Sequence, residues 1–542
     1  MTATLADRGL PHPGLDREAA GPAGAAEGGL RLDARPASVR AAGLGHLPFA
    51  VVLLLAGAPN LLFLATHLAN APLAAGCIAL LAAALVVVLR DLARTPEALD
   101  GRLLAISLAV ALVLCLLGGQ THLFFANDDW LLRDAVLRDL VAEPWPVGYL
   151  YAGDATMLRA PLGLYLLPAA IGSLVGLHGA HVALLAQDTA LFGGLFYGFA
   201  RLAPPRRSGL VLLAVFVGFS GWDIVGSTLV GDPLVPGIHL EQWLRDLQFS
   251  SHVTQLFWVP NHAASGWIFV GAYVLWRSSA LRATSLAVVF GLCVIWSPLS
   301  AIGALPFLVA ALVADAAAGR LTVGGATALG LAGIGLAPVA LFLGADAGRV
   351  PHGLQDLTMG FGSRYVLLMV FEVLPVLLVL HFAPGSVLGA DTWTRRETGL
   401  VLGVLLLVPL YRLGAVDFVM RASIPALALL ALRVGAVMPR LRGPQLAIAA
   451  GILGFGAVTP LYEVIRTLRV PAFSISSCNL LASARTPPNN GPLYHYVARV
   501  EALRGHLADH VLAKPTTQIR LVPQAMCWPD HPAHQEHAGE VF

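Results

Sequence analysis

The sequence predicts an all-α polytopic membrane protein, and three observations lead to that fold class. Hydrophobic residues make up 57% of the 542 residues, whereas charged residues make up only 12%. The mean hydropathy is +0.74. Apolar runs long enough to span a bilayer follow one another from residue 46 to residue 460. This composition excludes a soluble globular protein, and the net charge of +2 gives no indication of a nucleic-acid partner.

The chain divides into three parts by composition. Residues 1–44 are rich in Ala, Gly, Pro and Arg and lack apolar periodicity, so we expect a disordered cytoplasmic N-terminus. The first apolar run begins near Leu47 and is long enough to cross, which argues against a secretory signal peptide. Residues 45–460 are the predicted transmembrane domain, and residues 461–542 are a small extracytoplasmic C-terminal tail.

The apolar stretches predict a bundle of about 13 transmembrane helices, because each crossing needs ~20 residues. The predicted crossings, in chain order, are 46–67, 72–90, 102–119, 180–200, 208–226, 263–277, 282–297, 299–318, 321–344, 365–382, 398–413, 421–437 and 444–460.

One further apolar stretch, 161–177, is predicted to be re-entrant rather than a crossing. If it returns to the side from which it enters, the short basic loops around Arg94, Arg206, Arg282 and Arg320 all face the cytoplasm with the N-terminus. A true crossing would place most of them on the wrong side. The resulting topology gathers the polar material on the outer face, in segments 120–160, 227–262, 345–364 and 414–420 and in the tail.

Two adjacent carboxylates, Asp128 and Asp129, open the first outer segment. In the following stretch, 130–142, apolar residues recur every four positions, which predicts a helix lying at the membrane surface with an Asp134–Arg138 pair on it. Carboxylates at this depth are costly unless they are paired or used. Capping of the helix is the structural interpretation for one of them. The pair together favours a catalytic site.

Several other outer polar residues are candidates for a site. Arg159 stands just before the re-entrant stretch, where a guanidinium can hold a phosphate at the headgroup level, although a snorkelling arginine is the alternative. Segment 227–262 is dense in polar and aromatic side chains that are typical of substrate binding or of an ordinary solvated loop. Its candidates are Glu241, His239, His252, Asn261 and His262. Asp417 and Arg421 join them, with a structural ion pair as the simpler interpretation.

The cysteines fall into two groups. Cys478 and Cys527 lie in the predicted outer tail, where an oxidising compartment would allow them to pair, and the other three are interpreted as core residues. No residue spacing is diagnostic of a metal site. A divalent ion could nevertheless be held by Asp128, Asp129, Glu241 and an outer histidine, or weakly by the tail histidines His531, His534 and His537.

The stretch 127–202 resembles the membrane-embedded GT-C glycosyltransferases that take sugars from polyprenyl-phosphate carriers, such as the aminoarabinose and mannose transferases. The matching elements, in order, are Asp128-Asp129, helix 130–142, Trp145-Pro146, Arg159-Ala160-Pro161-Leu162 with Tyr165, Gly176, and the basic turn from Arg201 to Arg207. Two positions depart from the family pattern, because Arg159 replaces the usual Lys and Ala160 replaces the first Pro.

The resemblance implies a GT-C-like bundle in the bacterial inner membrane and a glycosyltransferase that moves a hexosyl or pentosyl group. The donor would be a polyprenyl-phosphate-linked sugar, and the acceptor an envelope lipid, glycan or protein on the outer face. Asp128 would be the general base of a direct, inverting displacement, with Asp129 orienting it or the acceptor. Arg159 would neutralise the leaving phosphate. No cofactor is certain, and a divalent metal is possible.

Three alternatives stay open at this point. A lipid-linked glycan polymerase or ligase would use the same kind of donor, a transporter or flippase would perform no chemistry, and a scaffold would do neither. A transporter is expected to show two matching halves with broken helices and charges in the middle of helices. This sequence places its charges at helix ends, which favours the enzyme.

Overall fold

A computed structural model shows a large bundle of α-helices with two small antiparallel sheets. It describes residues 45–95, 97–381, 392–414, 416–486, 491–521 and 527–532. The predicted disordered segment 1–44 and the tail histidines His534 and His537 lie outside these residues. The membrane-protein class predicted from composition agrees with this helical architecture.

The helices of the first half of the chain alternate between long apolar rods and short connecting pieces. They are α1 (Leu47–Thr66), α2 (Ala71–Ala93), α3 (Gly101–Leu117), α4 (Asp129–Ala142), α5 (Leu166–Val175), α6 (Leu177–Ala200), α7 (Arg206–Val217), α8 (Asp223–Val230), α9 (His252–Trp258), α10 (Pro260–Arg277) and α11 (Ala283–Cys293).

The second half continues the bundle and ends in a mostly irregular tail. Its helices are α12 (Pro298–Ala317), α13 (Val323–Gly344), α14 (Met359–Leu368), α15 (Leu374–His381), α16 (Thr392–Leu407), α17 (Asp417–Ala422), α18 (Ile424–Val437), α19 (Gly443–Gly456), α20 (Val458–Arg469), α21 (Leu480–Ser483) and α22 (Leu507–Val511).

Six helices in the described part of the chain are long and apolar enough to cross a membrane. They are α1, α2, α6, α12, α13 with its extension to Arg349, and the continuous helix Met359–His381 that contains α14 and α15. A seventh is added if α19 and α20, which bend by 41° at their junction, count as one span. The predicted count of thirteen crossings is therefore not reproduced.

Helix length explains most of the difference. The stretches predicted as crossings at 208–226 and 282–297 form α7 and α11, with 12 and 11 residues. At 1.5 Å per residue such helices are less than about 20 Å long, short of the ~30 Å hydrocarbon core. Apolar residues in a bundle also face other helices, so an apolar stretch need not be a crossing.

The stretch 161–177 contains α5, which has ten residues and is about 15 Å long. The chain passes into α6 at Gly176, whose φ of +88° is in the left-handed region that glycine tolerates. The two helices pack closely, since a Cβ on Gly172 would overlap the Cβ of Ala180. A helix of this length agrees with the predicted re-entrant segment.

Ion pairs gather the loops with arginines at one end of the bundle. Arg282 Nη2 lies 2.7 Å from Asp91 Oδ1, and Arg206 Nη2 lies 2.9 Å from Asp100 Oδ1. These contacts join loops 90–102, 201–207 and 277–283, which we call the basic face. The topology prediction placed the same loops on one side.

The C-terminal tail joins the segments at the other end of the bundle, which we call the tail face. Strands β1 (Gly148–Tyr151), β2 (Asp154–Leu158) and β5 (Val497–Arg499) form an antiparallel sheet in the order β1-β2-β5, with Met157 paired to both Gly148 and Ala498. Strands β3 (His352–Leu354) and β4 (Tyr411–Leu413) form the second sheet. A disulfide joins Cys478 to Cys527, the pair that the sequence suggested.

The helix predicted at 130–142 is present as α4, and protein covers much of its surface. Helix α4 is buried, because the tail covers it, and Asp139 accepts a hydrogen bond from Leu480 N at 2.9 Å. Glu241 lies on a short 3₁₀ turn, Leu240–Leu244. Arg138 pairs with Asp139 at 2.8 Å instead of with Asp134.

Candidate functional site

The predicted carboxylates, Asp128 and Asp129, lie at the start of α4. Two hydrogen bonds to one backbone carbonyl group hold this end of the helix in place. Asn127 Nδ2 and Trp130 Nε1 donate to the oxygen of Phe257 at 2.8 and 2.9 Å. Asn127 Oδ1 also accepts a hydrogen bond from Asp129 N at 3.1 Å. Asp128 occupies the N-cap position without a capping bond from its side chain. The structural interpretation of Asp128 as a helix cap is therefore not what the structure shows.

Asp129 belongs to a polar network centred on the buried Arg133. Arg133 Nη2 lies 3.3 Å from Asp129 Oδ2, and Arg133 Nη1 donates to Asn261 Oδ1 at 2.9 Å and to the Tyr165 hydroxyl at 3.4 Å. Burial opposes the charge of this guanidinium, yet Tyr165 and Asp129 raise its pKa above the ordinary value. The network places one carboxylate beside a buried cation.

Asp128 has different neighbours. Its Oδ1 lies 3.4 Å from His531 Nε2, and the ring of His531 packs against Phe125 and Phe473. The Asp128 side chain is half-buried, whereas His531 is fully buried. The two adjacent carboxylates therefore serve separate contacts, one to an arginine on the same helix and one to a histidine of the tail.

Arg159 is buried and is held by backbone carbonyl groups. Its side chain donates from Nη2 to Tyr494 O at 2.7 Å, and its backbone N donates to Tyr496 O at 2.7 Å. Within the described residues, Nε has no hydrogen-bond partner and no carboxylate lies within 4.0 Å of the guanidinium. Burial lowers the pKa of Arg159, and Asp346 opposes that shift. This cation retains donors for an anion.

The third arginine, Arg421, reaches the same tail segment from α17. It forms an ion pair with Asp417, and Asp417 Oδ2 lies 4.0 Å from His495 Nδ1. Burial lowers the pKa of His495, Asp417 opposes the shift, and the charges of Arg421 and Arg159 lower it further. His495 thus lies within the electrostatic reach of both arginines.

We call Arg133, Arg159 and Arg421, together with the tail segment 494–496 between them, the arginine cluster. Its three guanidinium groups face two carboxylates, Asp129 and Asp417. Burial raises the pKa of Tyr496, whose nearest charges include Arg133 and Asp129, so this tyrosine remains neutral. An excess of buried positive charge with unpaired N–H groups is the arrangement expected for binding a phosphate.

Two predicted residues border the cluster from the start of α10. Asn261 accepts from Arg133, as described, and donates from Nδ2 to Trp296 O at 3.1 Å. His262 Nδ1 lies 2.5 Å from Ser297 Oγ, which also caps α12 by accepting from Ser300 N. Both side chains are fixed by the turn between α11 and α12.

Glu241 is organised by its own loop. Its carboxylate accepts hydrogen bonds from Gln248 Nε2 at 2.6 Å, Ser251 N at 2.8 Å and Thr254 Oγ1 at 2.6 Å. Burial raises the pKa of Glu241 to about 7; His239 opposes the shift and Asp223 adds to it. Among the contacts of the described residues none joins Glu241 to the arginine cluster. Its role in the structure is to hold the loop.

The other two predicted histidines of this loop also serve structural contacts. His239 Nδ1 lies 2.6 Å from Glu463 Oε1, and the His239 ring packs against Trp258 in a tilted arrangement. His252 Nδ1 donates to Phe216 O at 2.6 Å in an aromatic environment, and burial lowers its pKa to about 3. A neutral histidine enclosed in this way is a core residue.

The structure thus unites most of the predicted site and adds residues that sequence reasoning missed. Arg133 was overlooked, although its i,i+4 spacing from Asp129 was a readable signal. The tail segment 494–496 has no such signal, since a contact between residues more than 300 positions apart leaves no local pattern.

Two clefts of the molecule lie away from the arginine cluster. One of about 560 Å³ is on the basic face, beside Asp100, Arg201 and Arg206. The other, of about 470 Å³, lies between β1 and the tail, beside Tyr151 and Leu493. We place the candidate site at the cluster because buried positive charge and unpaired donors meet there.

Comparison with protein-family models, with curated proteins and with solved structures finds no match to this chain. The functional argument therefore depends on the site itself.

Proposed function

We propose that this protein is a membrane glycosyltransferase that moves a sugar from a polyprenyl-phosphate donor to an envelope lipid, glycan or protein. The observation that carries the proposal is the environment of Arg159. Arg159 is 8% exposed, and its guanidinium donates to a carbonyl oxygen and retains an unpaired Nε among the described residues. A lipid phosphate is an anion whose oxygens match such donors.

The arrangement of the loops supports a site on the outer side of a bacterial inner membrane. The arginine-bearing loops share the basic face, and the candidate site lies on the tail face. Because short cytoplasmic loops carry an excess of arginine, we assign the basic face to the cytoplasm. The disulfide between Cys478 and Cys527 fits an oxidising compartment on the other side.

In the proposed reaction an acceptor hydroxyl attacks the anomeric carbon of the donor sugar. The new C–O bond forms as the bond from that carbon to the phosphate oxygen breaks, and the hydroxyl proton passes to Asp128. The lipid phosphate leaves with its charge stabilised by Arg159. Asp129 is paired with Arg133 and orients the acceptor. One displacement inverts the anomeric centre.

Access to Arg159 requires a local exchange of partners. The guanidinium donates to the Tyr494 carbonyl, so an arriving phosphate would replace that carbonyl as the acceptor. A charged acceptor makes the stronger bond to a guanidinium, which favours the exchange. The tail segment 494–496 would move with it.

The direct test uses the full chain purified in lipid nanodiscs. We expect release of polyprenyl phosphate from hexosyl or pentosyl polyprenyl phosphates when extracted envelope lipids and glycans are supplied as acceptors, measured by mass spectrometry. The same sugars linked to nucleoside diphosphates should not serve as donors, and boiled protein is the negative control. Donor binding without any turnover would favour a transporter, and turnover of nucleotide sugars alone would contradict the proposed donor.

A further inference from the structure

Three side chains outside the arginine cluster meet in the protein interior. His122 comes from the loop between α3 and α4, Asp134 from α4, and His181 from the N-terminal part of α6. His122 Nε2 lies 2.7 Å from Asp134 Oδ2, and one ligand atom from each of the three residues lies within 4.8 Å of the others. Their exposed fractions are 9%, 1% and 1%.

Both histidines are held in the same protonation pattern by backbone carbonyl groups. His122 Nδ1 lies 2.8 Å from Phe473 O, and His181 Nδ1 lies 3.0 Å from Gln120 O. A carbonyl oxygen only accepts a hydrogen bond, so each Nδ1 carries the hydrogen. Each Nε2 therefore has a lone pair on the side where the two histidines meet Asp134. Histidines that ligate metals are oriented by such bonds from the second ring nitrogen.

The atoms that face one another are incompletely satisfied. Within the residues that the structure describes, His181 Nε2 and Asp134 Oδ1 have no hydrogen-bond partner. An ion pair between a protonated His122 and Asp134 would satisfy Asp134 Oδ2. Asp134 Oδ1 and His181 Nε2 would still have no hydrogen-bond partner among the described residues. A buried carboxylate and a buried imidazole lone pair are costly without a partner, and one cation would satisfy both.

The backbone also brings His122 to this position at a cost. His122 has φ of +56°, in the left-handed region that non-glycine residues rarely adopt. It follows Gly119, where φ is +84° and a Cβ would lie 2.5 Å from the Cα of Ala126. Residues held in such conformations concentrate at functional sites.

We propose that His122, Asp134 and His181 bind a divalent transition-metal ion, with Zn²⁺ as the best match. Two imidazoles and one carboxylate are a ligand set that zinc accepts, with bonds of about 2.0–2.2 Å and a fourth position left for water. Tetrahedral geometry needs ligand atoms about 3.4 Å apart. Binding would require the three ligand atoms, which lie within 4.8 Å of one another, to approach to that spacing.

The metal would join three elements that carry the candidate site. Asp134 is adjacent to Arg133 on α4, His181 lies on α6, and the carbonyl that orients His122 belongs to Phe473 near the start of the tail. The ion would therefore stabilise α4 beneath the arginine cluster. This inference does not depend on sugar transfer.

The test uses the full-length protein with an affinity tag free of histidine, stripped with a chelator and then titrated with Zn²⁺. We expect the wild-type protein to bind zinc in competition with a chromophoric chelator and to gain thermal stability. His181→Ala, His122→Gln and Asp134→Asn should each raise the Kd for zinc by at least about 100-fold, since even losses of orienting partners cost 10- to 100-fold.

Two control proteins separate this site from other histidines. His178→Ala removes an exposed histidine from the same helix, and the double variant His534→Ala, His537→Ala removes two of the tail histidines; both should bind zinc like the wild type. Without metal, the ligand variants should match the metal-free wild type in size-exclusion elution and in thermal unfolding. If they also gain no thermal stability from zinc, they have lost a metal ligand without misfolding. A wild-type protein that binds no zinc, or zinc lost only in the tail variant, would overturn the proposal.

Discussion

Arg159 differs from the ion-paired arginines of the basic face in the kind of partner it contacts. Asp91, Asp100 and Asp315 hold arginines of the basic face in ion pairs, whereas Arg159 donates to a backbone carbonyl. An arginine whose charge is already neutralised has little to offer a phosphate. Among the described residues no carboxylate lies within 4.0 Å of the Arg159 guanidinium, and this is the feature that makes it a donor site.

Replacing Arg159 should weaken the binding of the donor. We expect Arg159→Ala to lower kcat/KM for the lipid donor by about 10- to 100-fold, the range for losing a charged hydrogen bond. Arg159→Lys should recover part of the loss, because it keeps the charge without the planar fork. The exposed, paired Arg504 provides the control Arg504→Ala. Equal activity in all of these proteins would make Arg159 a structural residue.

Glu241 provides a prediction about pH. Because burial raises its pKa to about 7, the folded protein keeps the Glu241 proton at a pH where the unfolded chain has lost it. The stabilisation of the folded state that comes from this retained proton is complete below the ordinary pKa of 4.5. It is lost as the pH rises through 7. Between pH 4.5 and pH 7 the free energy of unfolding of the wild-type protein should therefore fall by on the order of 2 kcal/mol relative to that of Glu241→Gln.

Thermal unfolding in detergent across that pH range measures the difference. Glu501→Gln is the matched control, since this exposed carboxylate pairs with Arg504 at the surface and should leave the pH dependence unchanged. If wild-type protein and Glu241→Gln lose stability in parallel, Glu241 does not titrate in this window and the burial argument fails.

Sequence reasoning found individual residues where the signal was local. Asp128 and Asp129 are adjacent, and Asp417 and Arg421 are one helical turn apart, so their patterns were readable. His122, Asp134 and His181 are not a motif by spacing, and their meeting depends on how α4 and α6 pack. Glu241 was chosen from the composition of its loop, which does not distinguish a buried loop-holding carboxylate from a binding one.

At the scale of elements, the contacts of the tail are the part of the structure that was hardest to predict from the sequence. It covers α4, adds β5 to the β1–β2 hairpin and supplies the carbonyl partners of Arg159. Periodicity reports which face of a helix is apolar, but it does not report what covers the polar face. For that reason the burial of α4 under the tail was not predicted.

The tail disulfide should hold this cover in place. We expect Cys478→Ser with Cys527→Ser to destabilise the docked tail by about 2–4 kcal/mol, because the cross-link restricts the undocked chain. Trypsin cleavage at the exposed Arg485 should then be at least about tenfold faster than in wild-type protein. Cys77→Ala, which removes a free thiol in α2, should not change the rate. Unchanged cleavage in the double variant would mean that other contacts hold the tail.

At the scale of the whole molecule, the arrangement of charged loops was predictable and the number of spans was not. Hydropathy and arginine distribution are summed over many residues, so errors at single positions cancel. A count of spans depends on where each helix ends, and those ends are set by turns, glycines and tertiary contacts. Six or seven helices meet the length and hydropathy requirements in the described residues, against the thirteen expected.

Cysteine labelling in intact cells tests the assignment of the two faces. Single cysteines at the exposed positions Asp154, Gln242 and Gly491 should react with a membrane-impermeant thiol reagent. Cysteines at Pro204, Ser279 and Gly443 should react only after permeabilisation. The background lacks the three free cysteines and keeps the disulfide. If Asp154→Cys and Pro204→Cys both react in intact cells, the basic face is not cytoplasmic and the proposed sidedness is inverted.

The central claim is that a carboxylate at the start of α4 takes the proton during sugar transfer. The measurement that tests it most directly is donor turnover by purified Asp128→Asn, compared with wild type, Asp129→Asn and the surface control Asp154→Asn. We predict a loss of at least about 100-fold for Asp128→Asn, the scale of general-base catalysis, a smaller loss for Asp129→Asn and none for Asp154→Asn. Wild-type turnover by a folded, membrane-inserted Asp128→Asn protein would contradict the account.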